Sequence, residues 1–255
     1  MRTICLANQK GGVAKTTTAV NIAAGLALLE KKVLLVDLDP QGNLTEGLGF
    51  DPDSLEKTTY DLIMENASVS DVMLQRSENL FVLPANIELS GAEVELLSLA
   101  GKDQRLRSAL AGVEGFDYII IDLPPSLGQL TINGLTAARE VMIPCSAEFY
   151  ALKGLKRLIG TIDDIRKWSN PSLEITGIIV TFYHSSKNLC KEVVEHLRTH
   201  FGDKVFQTYI RQITKLAESP MAGLDIFSYD KNSKGAWDYK GLCDEIAAME
   251  VKING

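Results

Sequence analysis

The chain has 255 residues, 45% of them apolar and 23% charged, and a formal net charge of −7. That composition excludes a disordered polymer, allows one large α/β domain or at most two small ones, and argues against a protein coated in basic surface. No apolar run reaches the roughly 20 residues needed to cross a bilayer, and the N-terminus enters a strand without a basic leader, so a cytoplasmic protein is expected.

The first predicted strand, residues 3–7, runs into Gln9-Lys10-Gly11-Gly12-Val13-Ala14-Lys15-Thr16-Thr17 and then a helix over 16–30 that is apolar on nearly every face. A strand, a glycine-bearing loop, a Lys-Thr pair and a helix start make the arrangement that holds nucleotide phosphates. Gly11 and Gly12 let the backbone curl, so that the N–H groups from Gly11 through Val13 and Ala14 turn toward phosphate oxygens. Lys15 adds charge between the β- and γ-phosphates, the Thr16 hydroxyl suits Mg²⁺, and Thr17 reaches the α-phosphate. Two residues depart from the usual pattern: Lys10 is an extra lysine, and Ala14 stands where glycine normally precedes the loop lysine. If residue 14 needs a positive φ, its methyl costs about 1–2 kcal/mol; if φ is negative, the change is nearly silent.

The next strand, 33–36, ends in Asp37-Leu38-Asp39-Pro40-Gln41-Gly42-Asn43. Ligands of doubly wound sheets sit at such carboxyl ends, and Asp39 is a candidate to orient the water that attacks the γ-phosphate. A strand at 80–83 and a helix at 88–99 follow. The strand at 118–121 leads into Asp122-Leu123-Pro124-Pro125-Ser126. There Asp122 stands where a nucleotide hydrolase keeps the carboxylate of its Mg²⁺ shell, and the prolines stiffen a segment suited to sensing the γ-phosphate.

Strands at 141–144 and 175–181 and helices at 152–168, 188–200 and 236–249 complete the alternation; residues 251–255 read as a short fraying tail. Continuous Val, Ile and Leu in the strands implies burial on both faces. The expectation is a doubly wound, mostly parallel α/β sheet with helices on both faces, of P-loop NTPase type, in one domain spanning 1–255.

Cys5, Cys145, Cys190 and Cys243 lie far apart without metal-ligand spacing. His196 and His200 are four apart, but Leu197 stands where a zinc protease has glutamate, so they read as a solvated helix face. Residues 181–240 hold nine Lys/Arg against seven Asp/Glu, so nucleic-acid contact is expected in the C-terminal third.

Taken together, the strings K-G-G-x-x-K-T-T, V-D-L-D-P-Q-G-N and D-L-P-P-S-L resemble the deviant Walker family of ParA, Soj and MinD ATPases. The short ParA/Soj type that segregates DNA is the nearest likeness. Similar stretches recur at 89–95, 148–152, 217–220 and 229–236. The resemblance implies an ATP- and Mg²⁺-dependent sandwich homodimer in which Lys10 reaches the partner's phosphates. Lys15 and Thr16 would then serve phosphate and metal, Asp39 water activation, and Asp122 the metal shell. It further implies slow hydrolysis of ATP to ADP, stimulated by a ParB-type partner, and non-specific double-stranded DNA binding on the nucleoid through Lys187 and Lys215, supplemented by Arg211.

The chain also departs from the family. Lysine stands at 187 and 215 where arginine is usual, which keeps the phosphate charge. Ile-Arg-Gln-Ile at 210–213 replaces Ile-Pro-Arg-Asn, a segment that lies along the adenine, leaving Arg211 and Gln212 as the candidates to hydrogen-bond the purine. Only nine residues precede Lys10, so no helix-turn-helix domain is expected. Two alternatives stand beside partition. One is a MinD-like membrane-surface ATPase, disfavoured because the chain ends without a basic amphipathic helix; stable membrane association is not expected. The other is a nucleotide-gated scaffold with little turnover. The cargo can be a chromosome or a plasmid.

Overall fold

The computed structural model describes residues 1–148 and 151–253. Its strands are β1 (Arg2–Leu6), β2 (Val33–Asp37), β3 (Leu74–Ser77), β4 (Leu80–Leu83), β5 (Tyr118–Asp122), β6 (Glu140–Ser146) and β7 (Glu174–Thr181). The helices are α1 (Lys15–Leu28), α2 (Asn43–Gly47), α3 (Thr59–Met64), α4 (Val69–Val72), α5 (Leu89–Glu95), α6 (Arg105–Leu110), α7 (Gln129–Ala137), α8 (Ala151–Trp168), α9 (Asn188–Phe201), α10 (Thr214–Glu218), α11 (Ile226–Asp230) and α12 (Lys234–Ile253).

The strands form one sheet in the order β3-β4-β2-β5-β1-β6-β7, parallel throughout except for β3. Alternate strand residues feed two cores. Leu34, Val36, Ile119 and Ile121 pack with helices α5 to α9 on one face, whereas Val33, Leu35, Tyr118 and Ile120 pack with α1, α11 and α12 on the other. Burial of both faces is why the strands read as unbroken apolar runs.

This topology brings three loops together. Leu6 and Asp37 both pair in register with Asp122, so β1, β2 and β5 end level with one another. From those ends the chain enters α1 on one face and α7 on the other, which opens a crevice at the carboxyl edge of the sheet.

Several boundaries differ from expectation. The first helix stops at Leu28 because Glu30 takes a left-handed φ of 60°. Glu30 N–H then donates to Ala27 and Lys31 N–H to Leu26, a Schellman termination. The helix expected at 88–99 tightens into a 3₁₀ turn from Leu96. The last helix continues to Ile253, through the start of the expected tail, and residues 254–255 lie outside the described residues. So do Phe149 and Tyr150 of the 148–152 stretch. Helix α7 was not expected, because Thr, Ile, Asn and Gly lower its local propensity. Gly134 serves packing there: a Cβ would lie 2.2 Å from Leu123 Cδ2.

Candidate functional site

The phosphate loop is pinned at its start by Asn8, whose amide donates to Pro144 O at 2.6 Å while its carbonyl accepts from Lys10 N–H at 3.0 Å. Gly12 is left-handed at φ 69°. Ala14, the residue before α1, is left-handed as well at φ 63°, ψ 33°. The positive-φ case therefore holds at Ala14, and its methyl carries the strain that glycine would avoid. The first helical bond of α1 runs from Thr18 N–H to Ala14 O, so the amides of Lys15, Thr16 and Thr17 precede it and face the crevice. Added Cβ atoms at Gly11 or Gly12 would meet nothing within 4 Å. The fold thus leaves open the space in which backbone amides can approach phosphate.

Lys10, Gly11, Gly12, Ala14, Lys15, Thr16, Thr17 and Asp39 line one cavity of about 860 Å³. Val13 faces inward instead; it is buried, and its carbonyl accepts from Thr181 Oγ1 at 3.0 Å. Arg211 and Gln212 are not among the lining residues. The Arg211 guanidinium is held in a fork by Asp238, with Nε–Oδ2 at 2.9 Å and Nη2–Oδ1 at 2.5 Å, and Gln212 Oε1 pairs with His184 Nε2 at 2.9 Å. The bidentate carboxylate, with a further donation from Nη2 to Lys234 O at 3.3 Å, fixes the guanidinium against α12.

Asp122 is fully buried and is not itself a lining residue; it reaches the cavity through Thr16 and Lys15, which are. Thr16 Oγ1 donates to its Oδ2 at 2.6 Å, and Lys15 Nζ stands 3.7 Å from its Oδ1 and donates to Leu123 O. The carboxylate is fully buried and Oδ1 accepts no hydrogen bond. Burial raises its pKa, against the pull of Lys15 and Thr16. A hydroxyl beside a carboxylate with a spare acceptor fits Mg²⁺, which keeps waters and takes phosphate oxygens rather than an all-protein cage. No cluster of three or more His, Cys, Asp or Glu able to hold a metal occurs among the described residues.

Asp39 sits across the cavity, its Oδ1 accepting from Gln41 N–H at 3.1 Å and its N–H donating to Asp37 Oδ1 at 3.0 Å. Asp37 is fully buried and accepts from Thr45 N–H and Thr45 Oγ1 at 3.1 and 2.8 Å. Burial, then the charge of Asp122, pushes its carboxyl up to about 7. The segment carrying Asp39 is therefore fixed from beneath.

Lys10 is ion-paired to Glu148 of the same chain, with Ser146 Oγ at 3.3 Å. That contact holds Glu148 below the usual carboxylate range. Among the basic residues, Lys215 is paired with Asp230, and Lys187 lies exposed just before α9. His196 and His200 are exposed on α9. The cavity also takes in Ser90 and Glu93 of α5, which the sequence reading did not place there. Only their place in the 89–95 stretch pointed to them.

The AAA domain family model matches residues 1–175. The sporulation initiation inhibitor protein Soj of Bacillus subtilis is 47% identical over 247 residues, covering 96% of this chain and 98% of that protein. The chromosome-partitioning ATPase Soj of Treponema pallidum is 47% identical over 251 residues, covering 98% of each. Among solved structures, a cobyrinic acid a,c-diamide synthase of Mycobacterium smegmatis with bound ADP and magnesium aligns with a TM-score of 0.86 at 39% identity, covering 96% of this chain and 94% of that one.

Proposed function

We propose, for a chain that belongs to the Soj/ParA family of chromosome-partitioning ATPases, a nucleotide-switched DNA-binding cycle run by a single domain. The observation that carries it is the Thr16–Asp122 hydrogen bond at 2.6 Å, set under the open N-terminus of α1 with Asp39 on the same cavity. The amides of residues 11–17 and the Lys15 ammonium bind the phosphates of ATP, and Thr16 with Asp122 holds Mg²⁺. When bound, that metal neutralises charge on the β- and γ-phosphates. Asp39 orients the attacking water.

Lys10 leaves Glu148 to reach the phosphates of a second copy, so dimerisation follows the γ-phosphate. DNA phosphates are met by Lys187 and Lys215, supplemented by Arg211 once it leaves Asp238; a ParB-type partner accelerates hydrolysis. The purine is given to the 210–213 segment, where Arg211 and Gln212 must first exchange their present partners.

Two features favour this reading over a membrane-surface ATPase. Tyr239, Leu242, Cys243 and Ile246 of α12 are buried in the core beside α1, so that face of the last helix is not offered to a membrane. No helix among the described residues is long and apolar enough to cross one. The test is binding of random-sequence duplex DNA with ATP, with ADP and without nucleotide, at two salt concentrations. Binding confined to ATP and weakened by salt is expected; equal binding in all three states contradicts the switch.

A further inference from the structure

We propose that Glu93 is a positioning residue for ATP hydrolysis, acting through the segment between Asp122 and α7. The inference rests on the ATPase reading above. Glu93 lies on α5, yet its carboxylate caps a different helix: Oε2 accepts from Gln129 N–H at 2.6 Å and Oε1 from Leu130 N–H at 3.4 Å. Helix α7 has no side-chain cap of its own, because Gly128 occupies that position. A Cβ on Gly128 would lie 2.3 Å from Glu93 Oε2, so glycine is what lets the carboxylate reach the helix end. The negative charge there also complements the helix dipole.

What Glu93 holds is the wall of the site. Thr131 Oγ1 donates to Ser126 O at 2.6 Å, fastening the loop to α7, and Gly134 packs directly on Leu123. The Leu123 carbonyl accepts from Lys15, and Pro124, Pro125 and Ser126 line the cavity. A rotation of α7 about its start would therefore move the acceptor of Lys15 and the proline wall together. Glu93 itself need touch neither phosphate nor water.

The test is MgATP turnover with random-sequence duplex DNA for wild type, Glu93→Ala, Glu93→Gln, Gly128→Ala and the Glu93→Ala/Gly128→Ala double variant. Glu93→Ala is expected to lower kcat by about 10- to 100-fold, since small misplacements at a reacting centre cost that much, with KM moving less than about threefold. Glu93→Gln keeps one acceptor and is expected to recover most of the loss. Gly128→Ala reaches the same carboxylate from the other side, so the double variant should be no worse than the poorer single one. Multiplying losses, a kcat near wild type in Glu93→Ala, or a fall in kcat matched by a rise in KM would overturn the proposal. If wild type turns over no ATP, the ATPase reading fails. The tether is then judged by amide exchange, which should quicken at Gln129 and Leu130 in Glu93→Ala; unchanged exchange overturns it.

Discussion

Thr16 Oγ1 lies 2.6 Å from Asp122 Oδ2, joining the first turn of α1 to the end of a strand 106 residues away. The second oxygen of that carboxylate accepts no hydrogen bond and has the Lys15 ammonium 3.7 Å away. Asp122→Asn keeps the shape and removes the charge. It is expected to weaken Mg²⁺-dependent ATP binding by about 10- to 100-fold, the scale seen when a metal's supporting carboxylate is lost. Binding in EDTA should change little. Titration of ATP with and without magnesium measures both; an equal loss in the two conditions contradicts the metal role.

Asp39→Ala removes the group proposed to orient water while leaving the phosphate loop intact. Turnover should fall by about 10²- to 10⁴-fold, the usual contribution of a positioned base, and an ATP-bound dimer should accumulate. Size-exclusion chromatography with ATP checks this, and rapid turnover by the variant removes Asp39 from the role.

Ala14→Gly relieves a left-handed alanine. That conformation costs about 1–2 kcal/mol, and the extra freedom of glycine in the unfolded chain returns about 0.5–1 kcal/mol. A net gain of up to about 1.5 kcal/mol is expected in urea unfolding, and a loss of stability contradicts it. Titrating ATP into both proteins then separates strain carried at all times, which leaves Kd equal, from strain taken up on binding, which tightens Kd in the glycine variant.

Asp37 sets a pH dependence. Its folded-state carboxyl is raised to about 7, so the folded protein binds its proton more tightly than the unfolded chain does. This contribution is fully present below the ordinary carboxylate pKa and is lost as pH rises through about 7. In protein free of nucleotide and metal, stability should therefore fall between about pH 4 and 7, by at most about 1.4 kcal/mol per pH unit from this group. Asp37→Asn should flatten that slope whatever its own stability. A slope unchanged in the variant places its origin elsewhere.

Lys187→Glu combined with Lys215→Glu should abolish DNA binding and leave ATP binding intact. The single Lys187→Ala change is expected to lower the salt slope of binding by about 1. Lys215 is already paired with Asp230, so its release should contribute less. Full DNA affinity in the double variant refutes the assignment.

The legible parts of the molecule were those written locally. Lys10 to Thr17 carry their chemistry in eight successive residues, and Asp122 and Asp39 follow apolar strands whose ends the topology then aligned. What stayed hidden depends on distant partners. Asp238 lies 27 residues from the Arg211 it captures, and Glu93 lies 36 residues from the amide it caps. Helix α7 was hidden for a different reason: its nearly complete burial, with Leu130, Asn133 and Leu135 at 0% exposure, outweighs a weak local propensity. The φ of Ala14 could not be read from residue type at all. It is set by the turn between β1 and α1, and alanine adopts it at a cost.

The most direct test of the account is ATP hydrolysis with and without random-sequence duplex DNA and a ParB-type partner protein, at two salt concentrations. Slow basal turnover that DNA and partner raise together, with the stimulation fading as salt increases, is the predicted result. Absence of turnover under every condition would contradict it.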